Sequence, residues 1–367
     1  MFSHKDFAWD EALETVRDPW DRIVTDGAFN PSLLPEWIGA AAAGMDMLAR
    51  LRVFALYDGD EVIGIIPYYR ARRRMAGITL ETINLAGNLV SYHQEFVTRR
   101  DPGTLLRQFL DSFDRGTWNL FVAHGLPSDG PSLRAMRNNG GGGVFVGYES
   151  DASPAMRLTG TWEQYLATKR KKFRYKINRR RRGLMAGGKI ETRWFDRASD
   201  VPALLDAILR IESHSWKVDA DMAISERPQE RHYYELLLPW MAERGLLLAN
   251  VIYLDAEPIA YNLCYVWGGC LGQIKTSFDG RFAGLSPGAV ATEDAIHHSF
   301  KLGAAEFDFL GDVMPHKLEW ATHLRQHYDC FLFANSWRAK LIGTAKRAVQ
   351  TWRNLRTGGK SGSSELA

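Results

Sequence analysis

The chain has 367 residues, which is enough for two domains of ordinary size. Its apolar content of 46% excludes a chain that is disordered throughout, and its net charge of +3 excludes a uniformly basic protein. The three cysteines, Cys264, Cys270 and Cys330, are too scattered for a disulfide framework or a zinc motif and fit a reducing compartment. The N-terminus lacks the apolar core of a signal peptide, and no apolar run of about 18 residues predicts a transmembrane helix, so we expect a cytoplasmic protein.

The first part of the chain, residues 1–150, is predicted to be one α/β domain. Helices are expected between residues 12 and 50, followed by a hairpin at residues 51–70 around an Asp-Gly turn. The remaining predicted elements are a strand at 78–88, a helix at 104–113, a buried strand at 117–126 and a glycine-rich loop at 138–143.

The second domain is predicted at residues 155–335. It is expected to begin with a long helix from Trp162 that is closed by Gly187 and Gly188. The elements expected after it are helices at 201–218 and 230–245, antiparallel strands within 246–278, a helix from Pro287 and a strand at 305–311. A basic amphipathic helix at 336–357 and a disordered tail at 358–367 complete the prediction.

The start of the helix after Ser286 is unusual. A serine before a helix and a proline at its first position, here Pro287, are ordinary start signals. Gly288 is not, because glycine weakens a helix and bares its backbone N–H groups. Bare N–H groups at a helix N-terminus bind anions, often phosphate. The segment therefore predicts an anion site, and a tight capped turn is the alternative interpretation.

Four stretches of the second half carry a family resemblance: WEQYLATKRKKFRYKINRRRRGL, IESHSWK, DAEPIAYNLCYVWGGCLGQIKTSFDGRFAGLSPG and AAEFDFLGDVMPHKLEW. They resemble the bacterial acyltransferases labelled cellulose-biosynthesis-type, which belong to the GNAT (N-acetyltransferase) superfamily. That family is similar to the Fem-type aminoacyltransferases, which have two GNAT-like folds in tandem. The resemblance implies an α/β fold of two tandem GNAT-like domains, with mixed, largely antiparallel sheets flanked by helices.

The resemblance also implies a site for the acyl donor. GNAT folds bind the CoA pyrophosphate on a loop of pattern R/Q-x-x-G-x-G/A, and residues 281–286 match it except that Ser286 replaces Gly or Ala. Pro287 also removes one N–H donor. The implied donor is acyl-CoA, with aminoacyl-tRNA as the Fem-type alternative, and no metal is expected. The residues assigned to the donor are Arg281, Gly284, Ser286, Gly288 and Lys317.

Acylation of an amine needs a base for the ammonium proton and donors for the oxyanion. Glu212 and His214 lie in one segment, and His214 titrates near neutral pH in its unperturbed form. They are two residues apart and converge only if the helix ends near His214. Trp216 and Lys217 follow and are assigned to the acceptor substrate, and a solvated helix end is the alternative interpretation.

Acidic residues also occur at the ends of predicted strands. Asp279 precedes the proposed pyrophosphate loop, and Asp308 and Asp312 lie around the turn DFLGDVMPHK. Acids at strand ends beside glycine are well placed for function, although aspartates that cap turns are common. Asp308 is predicted to be catalytic, and Asp279 and Asp312 to bind substrate. In the first half, His93 and Glu95 lie two apart in an extended stretch, which makes them acid/base or amine-binding candidates or an exposed polar edge.

Two segments are strongly basic. Residues 169–182 contain ten basic residues in fourteen, with no acid, and the final helix has six cations beside an apolar stripe. The stripe consists of Trp337, Leu341, Ala345, Ala348, Trp352 and Leu355. RNA phosphates, anionic lipid headgroups and a merely solvated face are the three interpretations of the first segment. The final helix favours the membrane, with packing on the domain as the equal alternative, and we expect no DNA partner.

The predicted function is an acyl-CoA-dependent N-acyltransferase that is peripherally associated with the inner membrane. The family includes ceramide-synthase-like members that acylate long-chain amino alcohols, and the 12% aromatic content with the basic helix fits a lipid acceptor. Three alternatives remain: an amino-sugar N-acetyltransferase for exported polysaccharide, a Fem-type transferase that uses aminoacyl-tRNA, and a non-catalytic GNAT-like scaffold.

Overall fold

The computed structural model describes residues 2–75, 77–89, 93–114, 116–138 and 143–356, with side chains as far as Val349. The chain divides into two compact units. The first combines residues 1–152 with the chain from Arg325 into the C-terminal helix, and the second is residues 153–324. The predicted tail and most of the predicted glycine-rich loop lie outside the described residues.

The first unit contains eight strands and six helices within its described part. Its strands are β1 (Phe2–Ala8), β2 (Leu51–Asp58), β3 (Glu61–Met75), β4 (Ile78–Leu85), β5 (Val97–Thr98), β6 (Leu120–Pro127), β7 (Val144–Glu149) and β15 (His327–Phe333). Strand β14 (His323–Arg325) lies at the border and belongs to the sheet of the second unit. Its helices are α1 (Trp9–Thr15), α2 (Arg17–Asp26), α3 (Pro35–Gly44), α4 (Pro102–Asp111), α5 (Pro131–Asn138) and α13 (Trp337–Arg356).

The second unit holds the remaining elements. Its strands are β8 (Ser153–Arg157), β9 (Ile190–Phe195), β10 (Leu247–Leu254), β11 (Glu257–Trp267), β12 (Cys270–Phe278) and β13 (Glu306–Asp308). Its helices are α6 (Trp162–Thr168), α7 (Lys171–Ala186), α8 (Val201–Glu212), α9 (Trp216–Asp219), α10 (Pro228–Glu243), α11 (Pro287–Lys301) and α12 (Pro315–Leu318).

Each unit is built on one mixed sheet. The first sheet has the order β1-β2-β3-β4-β6-β15-β7, with β5 beside β3, and the second has the order β14-β8-β13-β12-β11-β10-β9. The described registers are antiparallel except for β4 with β6 and β12 with β13. In both sheets three antiparallel strands (β2–β4 and β10–β12) lead through a helix to a parallel strand. The predicted fold class, an α/β chain of two domains with mixed, largely antiparallel sheets flanked by helices, is confirmed.

The predicted long helix from Trp162 is two helices. Lys169 and Arg170 have extended backbone angles, with ψ near 146° and 148°, and they separate α6 from α7. The side of α7 that faces the protein is apolar, and its Ile177 and Leu184 are buried. Trp162, Leu166 and Phe173 pack against the same core, in which Trp320 meets Phe173 edge to face.

The predicted end of the second domain at residue 335 differs from the structure. Strand β15 lies between β6 and β7 in the first sheet, with Cys330 opposite both Ala123 and Gly147. Helix α13 packs on this sheet through Ala339 and Ile342, so it belongs to the first unit and is not a separate element. Local sequence could not assign β15, because the partners that it pairs with are about 200 residues away in the chain.

The place of β15 in the first sheet predicts a stability effect. The Phe333 side chain is fully buried against β6, β7 and α13, so Phe333→Ala should lower the free energy of unfolding by about 3–5 kcal/mol. Phe2→Ala, at a side chain 40% exposed at the sheet edge, is the control and should cost under about 1 kcal/mol. Urea denaturation measures both, and equal effects would contradict this place for β15.

Candidate active site

The second sheet opens between β12 and β13. Their parallel register runs from Cys270, opposite Glu306, to Gly272, opposite Asp308, where β13 ends. Strand β12 continues six residues further, to Phe278, still paired with β11. A register shift between Leu263 and Cys264 makes Ile274 an extra, bulged residue in β12, shortly after Gly272, where the ladder with β13 ends. Bulges bend a strand and increase its twist, so β12 bends just beyond the point where its ladder with β13 ends.

The opening leaves one edge of β12 beyond the end of its neighbour. Backbone N–H and C=O groups on a strand point along the sheet plane. From Gln273 onward, those on the β13 side extend past Asp308, the last residue of β13. An extended ligand that carries amide groups can pair with such an edge as an added strand would.

The turn after β12 leads directly into α11. A 3₁₀ segment, Gly280–Leu285, is followed by Ser286 with a φ of 54° and a ψ of 45°, and then by Pro287 at the first helical position. This left-handed backbone favours glycine, and serine there is strained. Ser286 departs from the implied pyrophosphate pattern, and it is also the residue whose backbone conformation suits glycine.

The two predicted glycines of this turn have different surroundings. A Cβ atom at Gly284 would meet no atom within 4 Å, so this side of the turn faces open space. A Cβ at Gly288 would lie 3.0 Å from Cδ1 of Phe278. Close packing of α11 against the end of β12 is therefore enough to explain Gly288, whereas Gly284 leaves room for a ligand.

Arg281 and Asp279 form an ion pair with each other. The Asp279 carboxylate is buried and accepts bonds from the Arg281 backbone N–H at 2.9 Å and from its guanidinium at 2.6–3.1 Å. The Arg281 guanidinium also donates to Glu257 at 2.5 Å. These side-chain bonds, to Asp279 first and Glu257 second, raise the pKa of Arg281. The arginine predicted to hold phosphate is thus engaged by two carboxylates, and Asp279 caps the turn.

Glu212 is the centre of a buried polar network. It is fully buried at the end of α8, and its Oε1 accepts bonds from Lys217 Nζ at 2.7 Å and from Tyr261 Oη at 2.5 Å. Its Oε2 accepts the backbone N–H of Ile224 at 2.7 Å. A carboxylate that accepts three bonds is held in one position, so this environment favours an anchoring role.

Two lysines and two carboxylates share this network. Lys275 of β12 contacts Glu230 at 2.5 Å and lies 3.8 Å from Glu212, while Lys217 also donates to the Thr276 carbonyl at 2.9 Å. Burial, with the neighbouring charge of Lys275, lowers the pKa of Lys217 from 10.5 to about 8, against the opposing effect of Glu212. The network therefore holds a buried lysine whose pKa lies well below that of an exposed lysine.

His214 does not converge with Glu212. Helix α8 ends at Glu212, so the imidazole lies beyond it and its side chain is 48% exposed. Its Nδ1 is 3.0 Å from Ser213 Oγ and 3.8 Å from Asp279 Oδ2, and its carbonyl accepts the N–H of Gly280. The segment is thereby tied to the turn before α11. Trp216 is 48% exposed, in contrast to its buried neighbour Lys217.

Asp308 and Lys317 lie together at the end of β13. Asp308 is buried and accepts the N–H of Leu310 at 2.9 Å, and Lys317 is buried and donates to the Leu310 carbonyl at 2.6 Å. Burial lowers the pKa of Lys317, although the charges of Asp312 and Asp308 act in the opposite direction. Asp312 is exposed. Of the predicted acids, Asp308 is therefore the one at the last rung of the β12–β13 ladder.

The two predicted residues of the first unit have separate partners. His93 is buried, and its Nδ1 lies 2.7 Å from Nε2 of His327 on β15. Glu95 accepts the N–H of Ser132 in the first turn of α5 at 3.1 Å. Burial raises the pKa of Glu95, and the bonds from Ser132 partly oppose this. The structure therefore does not join His93 and Glu95 as one pair.

Several polar residues near the opening escaped the sequence analysis. Gln273, the first residue past the β12–β13 ladder, donates to Asn262 Oδ1 at 2.6 Å, and both side chains are buried. Lys275 and Tyr261 join the Glu212 network. The sequence indicates these residues only as polar side chains inside otherwise apolar strands. Such a pattern has many explanations, and a single sequence does not distinguish them.

A cleft of about 820 Å³ lies in the first unit beside Lys5 and Tyr57, and its lining includes no predicted site residue. It is an open groove, and its Arg99 is already paired with Asp26 and Glu61. The volume of the groove is therefore not evidence of a catalytic role. Over the described ranges, no three His, Cys, Asp or Glu side chains are grouped to hold a metal ion.

Comparison with known families identifies the fold of the second unit. Residues 171–318 match the family model of the acetyltransferase (GNAT) domain. The match spans α7 to α12 and so includes the β12–β13 opening and the turn into α11. A search of curated protein sequences gave no significant match.

Solved structures extend the similarity to both units. FemX is 12% identical, with a TM-score of 0.60, and the match covers 93% of this chain and 100% of FemX. A conserved protein of unknown function from Bacteroides thetaiotaomicron is 16% identical, with a TM-score of 0.59, covering 90% of this chain and 100% of that protein. The C-terminal domain of a putative lysylphosphatidylglycerol synthetase from Agrobacterium fabrum is 13% identical, with a TM-score of 0.50, covering 82% and 88%. At these identities the likeness concerns the fold.

Removal of the Glu212 charge should be severely destabilising. Glu212→Gln leaves Lys217 buried with a weaker partner, so the free energy of unfolding should fall by about 3–5 kcal/mol in urea denaturation. Glu235→Gln, which breaks the exposed pair with Arg231, is the control and should have a much smaller effect. Similar losses in both variants would contradict the anchoring role of Glu212.

The lowered pKa of Lys217 gives a pH dependence of known sign. Between about pH 8 and 10.5 the unfolded chain binds a proton at Lys217 that the folded protein does not, so this residue makes stability rise with pH in that window. Denaturation should show that the free energy of unfolding of the parent protein, minus that of Lys217→Met, increases from pH 8 to pH 10.5. A difference that stays constant or decreases would be inconsistent with this pKa.

The strain at Ser286 predicts a stabilising change. Ser286→Gly removes the strain of the left-handed backbone, but glycine also gives the unfolded chain more conformational freedom, which opposes the gain. The net free energy of unfolding should rise by about 0.5–1 kcal/mol. Ser213→Gly is the matched control. Ser213 has a φ of −62°, so the same exchange relieves no strain there and should lower the stability of the protein. Thermal denaturation compares the two, and a loss of stability in both would refute the strain.

Proposed function

We propose that the second unit transfers an acyl group from a CoA thioester to a primary amine at the β12–β13 opening. The observation that carries the proposal is the end of the ladder at Gly272 and Asp308, followed by the turn into α11 within the matched GNAT segment. The free edge of β12 suits the amide-bearing arm of CoA. The start of α11, with open space at Gly284, suits its pyrophosphate.

Binding of the donor requires a local exchange of partners. Arg281 can reach a phosphate only by releasing one of its two carboxylates, and the exposed Glu257 is easier to release than the buried Asp279. Asp279 then keeps the guanidinium at the turn. Ser286 and Gly288 contribute the backbone at the helix start, and Lys317 is the further cation assigned to the donor.

The chemistry is direct attack of a neutral amine on the thioester carbonyl. The new C–N bond forms as the C–S bond breaks, the amine proton passes to a base, and the base returns that proton to the CoA sulfur, so that CoA leaves as its thiol. Asp308 is our first choice for the base because it ends the ladder beside the opening. His214 and Glu212 are the other candidates on the second unit, and His93 and Glu95 on the first remain predictions. Trp216, Lys217 and Asp312 are proposed to face the acceptor.

A long-chain, sphingoid-type amine is the proposed acceptor, in bacterial ceramide synthesis, on a protein held peripherally at the inner membrane. Of the described helices, none combines the length and apolarity that crossing a bilayer requires. Amino sugars for exported polysaccharide and a non-catalytic scaffold remain alternatives.

Transfer from aminoacyl-tRNA has a specific observation in its favour. Three of the ten cations at residues 169–182 are used inside the unit, since Lys176 and Arg180 contact Glu319 and Arg181 contacts Glu293 and Asp294. Six others are exposed: Arg170, Lys171, Lys172, Arg174, Arg179 and Arg182. Such a surface suits phosphates, and under this alternative RNase would abolish the activity.

Donor binding tests the proposal. Native mass spectrometry with acetyl-, octanoyl- and palmitoyl-CoA should show a one-to-one complex that Gly284→Leu abolishes, because the new side chain fills open space at the turn. Gly183→Leu is the matched control, since a Cβ at Gly183 on α7 also meets no atom within 4 Å. Absence of any acyl-CoA complex, or equal binding by both variants, would overturn the proposed site. Tighter binding of longer chains would support the lipid acceptor.

A further inference from the structure

We propose that an anionic lipid surface binds the first unit along the outer face of α13 and the nearby Arg73 of β3. The residues concerned on the helix are Trp337, Arg338, Lys340 and Leu341. The inference deepens the proposed function by naming the surface that meets the membrane. It rests on that function only for the identity of the acceptor, because lipid binding is measured without donor or turnover.

The packing of α13 leaves an apolar stripe unburied. Ala339 and Ile342 face the sheet, and Gly343 approaches it so closely that a Cβ there would lie 2.9 Å from the Phe333 ring and 3.0 Å from Val144. The opposite side carries Trp337 and Leu341, with exposed fractions of 73% and 59%. The helix is thus fixed by small residues on one side and presents large apolar ones on the other.

Cations from two elements lie near this stripe. The helix has no acid from Trp337 to Val349, and its Arg338 and Lys340 are exposed. Of the three consecutive arginines of β3, Arg73 points to the sheet face on which α13 packs, whereas Arg72, which pairs with Glu81, and Arg74 point to the other face. Both elements meet at Phe331 of β15, where Arg73 and Lys346 lie 5.9 Å and 5.6 Å from the ring centroid. Burial, and next the charge of Arg73, lower the pKa of Lys346. Like charges are therefore crowded here, as expected for a surface that meets anions.

The apolar stripe selects a bilayer over a nucleic acid. An interfacial helix buries tryptophan and aliphatic side chains below the headgroups while its cations meet lipid phosphates. A nucleic acid would satisfy the cations but leave Leu341 in water. No base-stacking array accompanies the stripe, since Trp337 is its one aromatic side chain within the described part of α13.

Sedimentation with vesicles tests the surface. The full chain should bind vesicles of phosphatidylcholine with 30% phosphatidylglycerol, bind pure phosphatidylcholine far less, and dissociate as salt rises. Each cation removed should weaken binding about five-fold, so Arg73→Gln, Arg338→Gln and Lys340→Gln together should weaken it about a hundred-fold. Trp337→Ser with Leu341→Ser should weaken it at least about ten-fold, because both side chains are exposed and enter the bilayer.

A variant of α7 is the matched control. Arg174→Gln, Tyr175→Ser and Arg179→Gln change two exposed cations and an exposed aromatic residue on the other basic helix, and they should leave vesicle binding unchanged. The proposal is overturned if the wild type does not bind the anionic vesicles or if the α7 variant alone loses them. It is also overturned if the α13 and β3 variants lose a mixed-sequence RNA in a gel shift while keeping the vesicles. Acyl-CoA binding retained by the α13 variants would separate this result from a failure of the proposed chemistry.

Discussion

The second unit depends on one mismatch in strand length. Strands β12 and β13 share only the short ladder that ends at Gly272 and Asp308, and the bulge at Ile274 follows directly. Because β12 stays paired with β11 to Phe278, the sheet remains continuous on one side while it opens on the other. A longer β13 would close this edge with backbone hydrogen bonds. The opening is therefore set by backbone pairing, and the side chains around it tune a site that the ladder has already created.

Buried charge holds the other side of the opening together. Glu212 joins the end of α8 to β11 through Tyr261 and to the following segment through Lys217 and the Ile224 N–H. Buried ion pairs contribute less stability than specificity, because desolvation offsets much of the attraction. What they fix here is position: Lys275, just beyond the bulge, is held between Glu212 and Glu230. The turn before α11 is fixed in the same manner, by the buried Asp279 with Arg281.

The sequence was most informative where structure is local. The hairpin at 51–70, the strands within 246–278 and the helix after Ser286 follow from turn chemistry and periodicity, and the structure has β2–β3, β10–β12 and α11 there. Long-range pairing was not accessible, so β15 was placed in the wrong unit and the partners of Glu212 were missed. Arg281 and Asp279 are two residues apart, yet nothing local distinguishes a phosphate ligand from a partner of a buried carboxylate. The basic helix α7 shows the same limit, because its charge count cannot separate cations paired with Glu319 or Asp294 from those left exposed.

Amide hydrogen exchange with and without octanoyl-CoA tests the central claim, that the free edge of β12 and the turn into α11 hold the donor. We expect slower exchange in residues 273–278 and 280–288 when the donor is bound, whereas the exchange of the β10 amides should not change. The claim would be contradicted by a bound donor that leaves both segments unaltered and instead protects the cleft of the first unit, around Lys5 and Tyr57.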